Sequence, residues 1–189
     1  MRIILASQSE SRKELMDLIK LDYEIIVSNA EEKTKEGLSI EEQSKELSYI
    51  KAKKVFEETQ GDRIVIGSDT MVIQDNKLYG KPKDEKEAFG MLKKFQNSRV
   101  QFITSITVII EQDGKYIEKI DYDKTDVYLK PMTDVEIEKY ITTGETLKKA
   151  GGFAVQSEFC VFIDKIVGNY TTAVGLPTHK LYDMIIDYI

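Results

Sequence analysis

Two dipeptides constrain this chain more than any other feature. Asp75–Asn76 separates "RIVIGSDTMVIQ" from "KLYG", and Asp113–Gly114 separates "VQFITSITVII" from "KYIEKIDYDKTDVYL". Two residues of turn type between β-branched runs signal an antiparallel hairpin. Hairpins argue against a purely parallel, doubly wound sheet. The chain opens differently, however. "RIILA" and "YEIIVS" flank a helical stretch, a strand–helix–strand start. A further strand is expected at "FCVFIDKIVG". These elements predict an α/β fold with a mixed β-sheet and flanking helices.

The helices are marked by their starts. "SRKE" (Ser11 to Glu14), "SIEE" (Ser39 to Glu42), "DEKE" (Asp84 to Glu87) and "TDVE" (Thr133 to Glu136) resemble capping boxes. The second should run to about Glu57. Ala88, Met91, Leu92 and Phe95 form one apolar stripe after the third. Leu181, Met184, Ile185 and Tyr188 mark a last helix.

Composition excludes several classes of function. The 189 residues carry no repeat, linker or low-complexity tract, so a single domain over 1–189 is expected. No apolar run is long enough to span a membrane or to serve as a signal peptide, which predicts a cytoplasmic protein without a membrane partner. Net charge is −6, which argues against a nucleic-acid partner but not against a small phosphate ligand held by local lysines. Cys160 is the only cysteine, which rules out an internal disulfide, and its apolar context predicts a buried strand thiol. His179 is the only histidine, so a multi-histidine zinc site is excluded. It is expected on the surface in the first turn of the last helix.

Six stretches carry polar groups where chemistry is possible. In "LASQSESRKEL" a strand gives way to a helix, whose free N–H groups attract anions. Ser7, Ser9 and Arg12 add side-chain donors, although simple capping by Ser9 or Ser11 explains the same letters. Glu31 and Glu32 should end a strand, and matter only if other acids converge on them. Lys51 lies either on a solvated helix face or at a cleft edge. Asp69 sits where the run "RIVIGSDT" breaks, and carboxylates at strand ends hold Mg²⁺ or orient water. Lys81, kept extended by Pro82, suits a phosphate oxygen. A surface salt bridge between Asp69 and Lys81 is the plain alternative. In "KKAGGFAVQSE", Gly151 and Gly152 permit positive φ or close approach, and Gln156 offers a donor and an acceptor for a base. "GNYTTAVGLP" reads mainly as structural.

Together these stretches resemble the Maf family of nucleotide pyrophosphatases, long described as septum-formation proteins. The family pattern "LASxSPRRxELL", acidic pair, "KA", "GADTxV", "GKPxD", "KAGxYxIQG" and "GxxxxxVGLP" is met in order at Leu5–Leu15, Glu31–Glu32, Lys51–Ala52, Gly67–Val72, Gly80–Asp84, Lys149–Ser157 and Gly168–Pro177. The resemblance implies a fold related to the inosine-triphosphate pyrophosphatases, with two lobes around a cleft. It implies hydrolysis between the α and β phosphates of dTTP and UTP, with release of diphosphate. A house-cleaning role against modified nucleotides belongs to the same class. Asp69 is then the catalytic base. Glu32 and Asp69 bind a divalent metal, Mg²⁺ or Mn²⁺. Lys51 and Lys81 hold phosphates, and Ser7, Ser9 and Arg12 bind substrate at the helix start. Thr70 and Gln156 match the dTTP/UTP branch, and Ser11 falls in the substrate-selecting set. The nucleoside triphosphate is the expected partner, with a homodimer as a further expectation. The alternative is a non-enzymatic, nucleotide-binding regulator of septation.

The pattern is broken in four places. Glu10 replaces the family proline and Ser11 the first arginine; Ser157 replaces a glycine, and Val100 stands near the place of a histidine. Glu10 brings negative charge toward the expected phosphate site.

Overall fold

Seven strands form one mixed sheet in a computed structural model that describes residues 1–189. The elements run β1 (Arg2–Leu5), α1 (Glu10–Leu18), β2 (Glu24–Ile25), α2 (Ile40–Glu57), β3 (Arg63–Gln74), β4 (Lys77–Tyr79), α3 (Glu85–Phe95), β5 (Arg99–Gln112), β6 (Lys115–Leu129), α4 (Asp134–Ile141), β7 (Ile163–Val167), α5 (Tyr170–Val174) and α6 (Thr178–Ile185). The sheet order is β2-β1-β3-β5-β6-β7, with β4 paired to β3. β1 is parallel to both β2 and β3, whereas β3–β4 and β6–β7 are antiparallel. The sheet is mixed, as the hairpin signals predict. Asp75 and Asn76 take φ of 50° and 59°, and Asp113 and Gly114 take 50° and 74°. The expected turn chemistry is therefore in place. No helix is long and apolar enough to cross a membrane.

The chain divides into two units. Unit 1 comprises residues 1–69, 104–123 and 175–189, and unit 2 comprises 70–103 and 124–174. In unit 1, Ile4 and Ala6 from the β1 region, Val65 from β3 and Ile109 from β5 pack with Ala52 and Val55 from α2. In unit 2, Phe95, Phe102, Phe153 and Phe159 are buried with Val72, Leu92, Val127 and Ile137. Its rings meet edge-on, with Phe102 and Phe153 centroids 5.5 Å apart.

The helix starts match their signals at α2 and α4. Ser39 and Glu42, and likewise Thr133 and Glu136, each bond the other's backbone N–H. At α3, Asp84 accepts from the Glu87 N–H, but the Glu87 side chain reaches the Lys83 N–H instead.

Four expectations need correction. The first helix starts at Glu10 with Ser9 as its N-cap, so Ser11 lies inside the first turn and is buried. "YEIIVS" yields only a two-residue strand, and Glu31 and Glu32 lie in irregular chain beyond it. At the β1 end only Ile4–Leu5 pair with β2, which limits how far that ladder extends. Cys160 is exposed in a 3-10 turn, Glu158–Phe162, because β7 begins only at Ile163. There Phe159 fills the core position, and Cys160 faces away from it. His179 lies on the surface of α6, 3.7 Å from Asp123, as expected.

Candidate active site

Unit 1 holds Ser7, Arg12, Glu32, Lys51 and Asp69, and Lys51 touches both acids. Lys51 leaves α2 and places its Nζ 2.6 Å from Asp69 Oδ1 and 3.2 Å from Glu32 Oε1. The Lys51 and Asp69 side chains are each 11% exposed, so this pair is shielded from bulk water. Glu32, at 55%, keeps most of its side chain in solvent. Glu32 and Asp69 thus converge on Lys51, which meets the condition set for Glu32 to matter.

Gly67 explains how α2 comes so close to β3. A Cβ there would stand 2.3 Å from the Ser48 carbonyl oxygen and 2.8 Å from the Ala52 nitrogen. Only glycine lets the helix backbone rest on the strand at this point. Lys51 follows Ser48 by less than one helical turn, and Asp69 follows Gly67 by two positions along β3. Close packing at Gly67 therefore sets the short Lys51–Asp69 distance.

Arg12 forms the second part of the site. Its Nε donates to the Gly175 carbonyl at 2.9 Å, and its Nη1 donates to Ser7 Oγ at 3.2 Å. Ser7 is buried just past β1, and its Oγ also accepts from the Ser9 N–H at 3.1 Å. Burial pushes the Arg12 guanidinium below its usual range, while the Asp69 and Glu32 charges push it back up. An arginine stays protonated through such a shift. Arg12, Lys51, Asp69 and Glu32 thus make a cluster of two cations and two anions. Ser9 makes no side-chain cap, so capping does not account for it. Glu10 points its charge at Lys13, 2.6 Å away, which offsets the repulsion expected there.

Behind Asp69 lies a layer of buried hydroxyls. Ser44 Oγ donates to the Asp69 carbonyl at 3.3 Å and accepts from Ser105 Oγ at 2.7 Å. Ser48 Oγ and Thr107 Oγ1 are 2.8 Å apart. Ser68 Oγ lies 2.8 Å from the Ser105 carbonyl and 3.0 Å from that of Gly175. One loop carbonyl, Gly175, therefore anchors both Arg12 and the residue before Asp69. The sequence reading missed this whole layer, and it treated "AVGLP" as merely structural. The available signal was Ser44, Ser48 and Ala52 at four-residue spacing, facing an apolar strand interrupted by Thr104, Ser105 and Thr107.

The remaining expected residues belong to unit 2. Thr70, half-buried, is its first residue on β3. Lys81 is exposed, beside buried Pro82. The preceding Gly80 carbonyl accepts from the Gly151 N–H at 2.9 Å, so the "GKP" and "AGG" stretches are tied together. Both glycine roles foreseen for that stretch occur. Gly151 and Gly152 take φ of 70° and 76°, and a Cβ on Gly151 would meet Val72 Cγ1 at 2.8 Å. Gln156 is half-buried four residues beyond Gly152.

Known proteins resemble this chain along nearly its whole length. A dTTP/UTP pyrophosphatase of Thermoanaerobacter sp. (strain X514) is 42% identical over 185 residues, covering 98% of this chain and 95% of that protein. The dTTP/UTP pyrophosphatase of Alkaliphilus oremlandii (strain OhILAs) is 42% identical over 180 residues, covering 95% and 92%. Among solved structures, a HAM1 protein from Coxiella burnetii aligns over 99% of each chain with a TM-score of 0.48 at 13% identity. The Maf-like protein family matches residues 2–188. By that match, and by its identity to these relatives, the chain belongs to the Maf-like protein family.

Proposed function

We propose that this chain is a nucleoside triphosphate pyrophosphatase that hydrolyses the α–β phosphate bond of dTTP and UTP to monophosphate and diphosphate. Lys51 carries this reading, because it holds a shielded carboxylate beside a second carboxylate and a half-buried arginine. That set supplies what phosphoryl chemistry requires: positive charge for the phosphates and a base for the attacking water. The named activity of the relatives points to the same reaction.

In this reading Asp69 accepts the proton of the attacking water through a carboxylate oxygen. Arg12 and Ser7 offer N–H and O–H donors to phosphate oxygens, joined by backbone N–H groups at the start of α1. Ser9, whose side chain caps nothing, adds another donor there. Lys51 exchanges part of its contact with the two acids for a phosphate oxygen, and Lys81 adds a second ammonium. Asp69 and Glu32 are the residues that would hold Mg²⁺ or Mn²⁺. No group of three or more His, Cys, Asp or Glu side chains is assembled. Two carboxylates suit a cation that takes one or two from protein and completes its shell with water and phosphate oxygens. When bound, such a cation neutralises phosphate charge.

Thr70 and Gln156 are assigned to base selection. The Gln156 amide can donate to a carbonyl of thymine or uracil and accept from N3–H. Cytosine presents the opposite pattern at N3. Leaving such polar groups unpaired costs roughly 1–3 kcal/mol each. The test is kcat/KM for dTTP, UTP, CTP, GTP and 7-methyl-GTP, with Mg²⁺ and with Mn²⁺. dTTP and UTP should lead, and a preference for 7-methyl-GTP would overturn the assignment of Thr70 and Gln156. No release of diphosphate from any nucleotide would overturn the enzyme itself.

A further inference from the structure

Unit 2 contains a second concentration of positive charge. Lys77, Lys81, Lys83 and Lys94 line a groove of about 530 Å³, within the range of small-molecule sites. All four are exposed. None of them pairs with a carboxylate, although the chain as a whole has six more acids than bases. Glu87, the one acid on the groove wall, is already engaged: its Oε2 accepts from the Lys83 backbone N–H at 2.7 Å.

Tyr79 organises two of these ammonium groups. Lys94 Nζ donates to the Tyr79 hydroxyl at 2.7 Å. Lys77 Nζ and Lys94 Nζ both stand 5.4 Å from the centre of its ring. The ring is buried, and it packs edge-on against Phe95 with centroids 4.8 Å apart, so it is a fixed platform. Like charges drawn to one ring repel each other, and an anion between them relieves that repulsion. Gly80 and Gly90 leave two parts of the wall without side chains.

From this arrangement we infer that the unit 2 groove is an oligophosphate subsite. Lysines at several points along a groove match a chain of phosphates, each needing a point charge and not a planar fork. A nucleic-acid backbone fits less well, since the lysines are confined to one groove on an acidic protein. The inference builds on the function proposed above, in which Lys81 holds substrate phosphates. Lys81 is also a groove residue, so a phosphate tail that reaches Lys81 can run on along the other three lysines, which suits nucleotides with longer tails. The substrate class added is nucleoside tetraphosphates. Water adds across their α–β anhydride bond, which yields the monophosphate and inorganic triphosphate.

Calorimetric titration with sodium triphosphate tests this on the full chain, together with hydrolysis of UTP and of uridine tetraphosphate. The combined Lys77→Ala, Lys83→Ala and Lys94→Ala variant should bind triphosphate about tenfold more weakly or worse, because phosphate contacts are lost. Its UTP hydrolysis should stay within about twofold, since none of the three is assigned to the reacting phosphates. Its uridine tetraphosphate activity, relative to UTP, should fall. Lys83→Glu, at an exposed site, should weaken triphosphate binding in the same direction even if the triple variant folds poorly. Undiminished triphosphate binding in both variants would overturn the subsite. Lysine-dependent triphosphate binding with no nucleotide hydrolysis by the parent protein would leave the subsite standing and overturn the proposed enzyme.

Discussion

The two units bury different things. Unit 2 hides rings: Phe95, Phe102, Phe153 and Phe159 are each at most 3% exposed and touch one another edge-on or tilted. Unit 1 hides a hydrogen-bonded layer of hydroxyls: Ser44, Ser48, Ser68, Ser105 and Thr107 are all at 0%, whereas unit 2 buries only Thr125, Thr146 and Thr172 to that degree. Rings bury large apolar areas and stabilise through dispersion and loss of hydration. Buried hydroxyls stabilise little, because each must first replace its water hydrogen bonds. What they provide is direction. The Ser44 and Ser105 bonds fix the backbone at Asp69, and Ser68 fixes the loop that holds Arg12. Unit 2 thus invests its interior in stability, and unit 1 invests part of its interior in the placement of charges.

Substitutions should separate these two investments. The largest effect on turnover is expected at Asp69. Asp69→Asn should lower kcat about 10²–10⁴-fold, the typical contribution of a positioned general base. Circular dichroism should remain that of the parent, and retention of near-normal diphosphate release would break the assignment. Phe153→Ala should cost about 3–5 kcal/mol of stability, read as an earlier urea midpoint, with kcat of the remaining folded protein little changed. Ser105→Ala sharpens the contrast, because it removes the donor to Ser44. Its stability loss should be smaller, about 1–3 kcal/mol, and should come with a fall in kcat at nearly constant KM. An unchanged kcat would mean that the hydroxyl layer only fills space.

The smallest effect concerns pH. Burial of Tyr140 in unit 2 pushes its phenol from 10.0 up to about 12, against opposing bonds from its neighbours. The fold therefore favours the neutral phenol. Its contribution is complete below pH 10 and is lost as pH rises toward 12. Tyr140→Phe should make thermal stability less steep across that window than in the parent. A slope equal to the parent's would show that other groups govern alkaline unfolding.

Much of this architecture is legible in the letters, and for physical reasons. The Ser39–Glu42 and Thr133–Glu136 boxes and the two hairpin turns depend on local geometry within four residues. Local geometry needs no knowledge of the rest of the chain. The first helix was harder, because Ser7, Ser9 and Ser11 all suit an N-cap and only tertiary packing selects Ser9. Cys160 misled because "FCVFI" is apolar throughout, while a 3-10 turn buries Phe159 and exposes its neighbours Cys160 and Val161. Gly67 was legible only as the point where an apolar strand run breaks. Its actual constraint, contact with the α2 backbone, is a distance between segments that no local pattern encodes. The hydroxyl layer was invisible for the same reason.

The Arg12–Gly175 hydrogen bond spans 163 positions of sequence. During synthesis, Arg12 and Ser68 leave the ribosome well before their shared acceptor exists. A nascent chain stopped anywhere short of Gly175 therefore lacks the carbonyl that orients its arginine. Assembly of the charged cluster becomes a late event of biogenesis, and interrupted translation products are born without it. A centre whose arginine is oriented by so distant a carbonyl is thus among the last parts of the molecule to be completed.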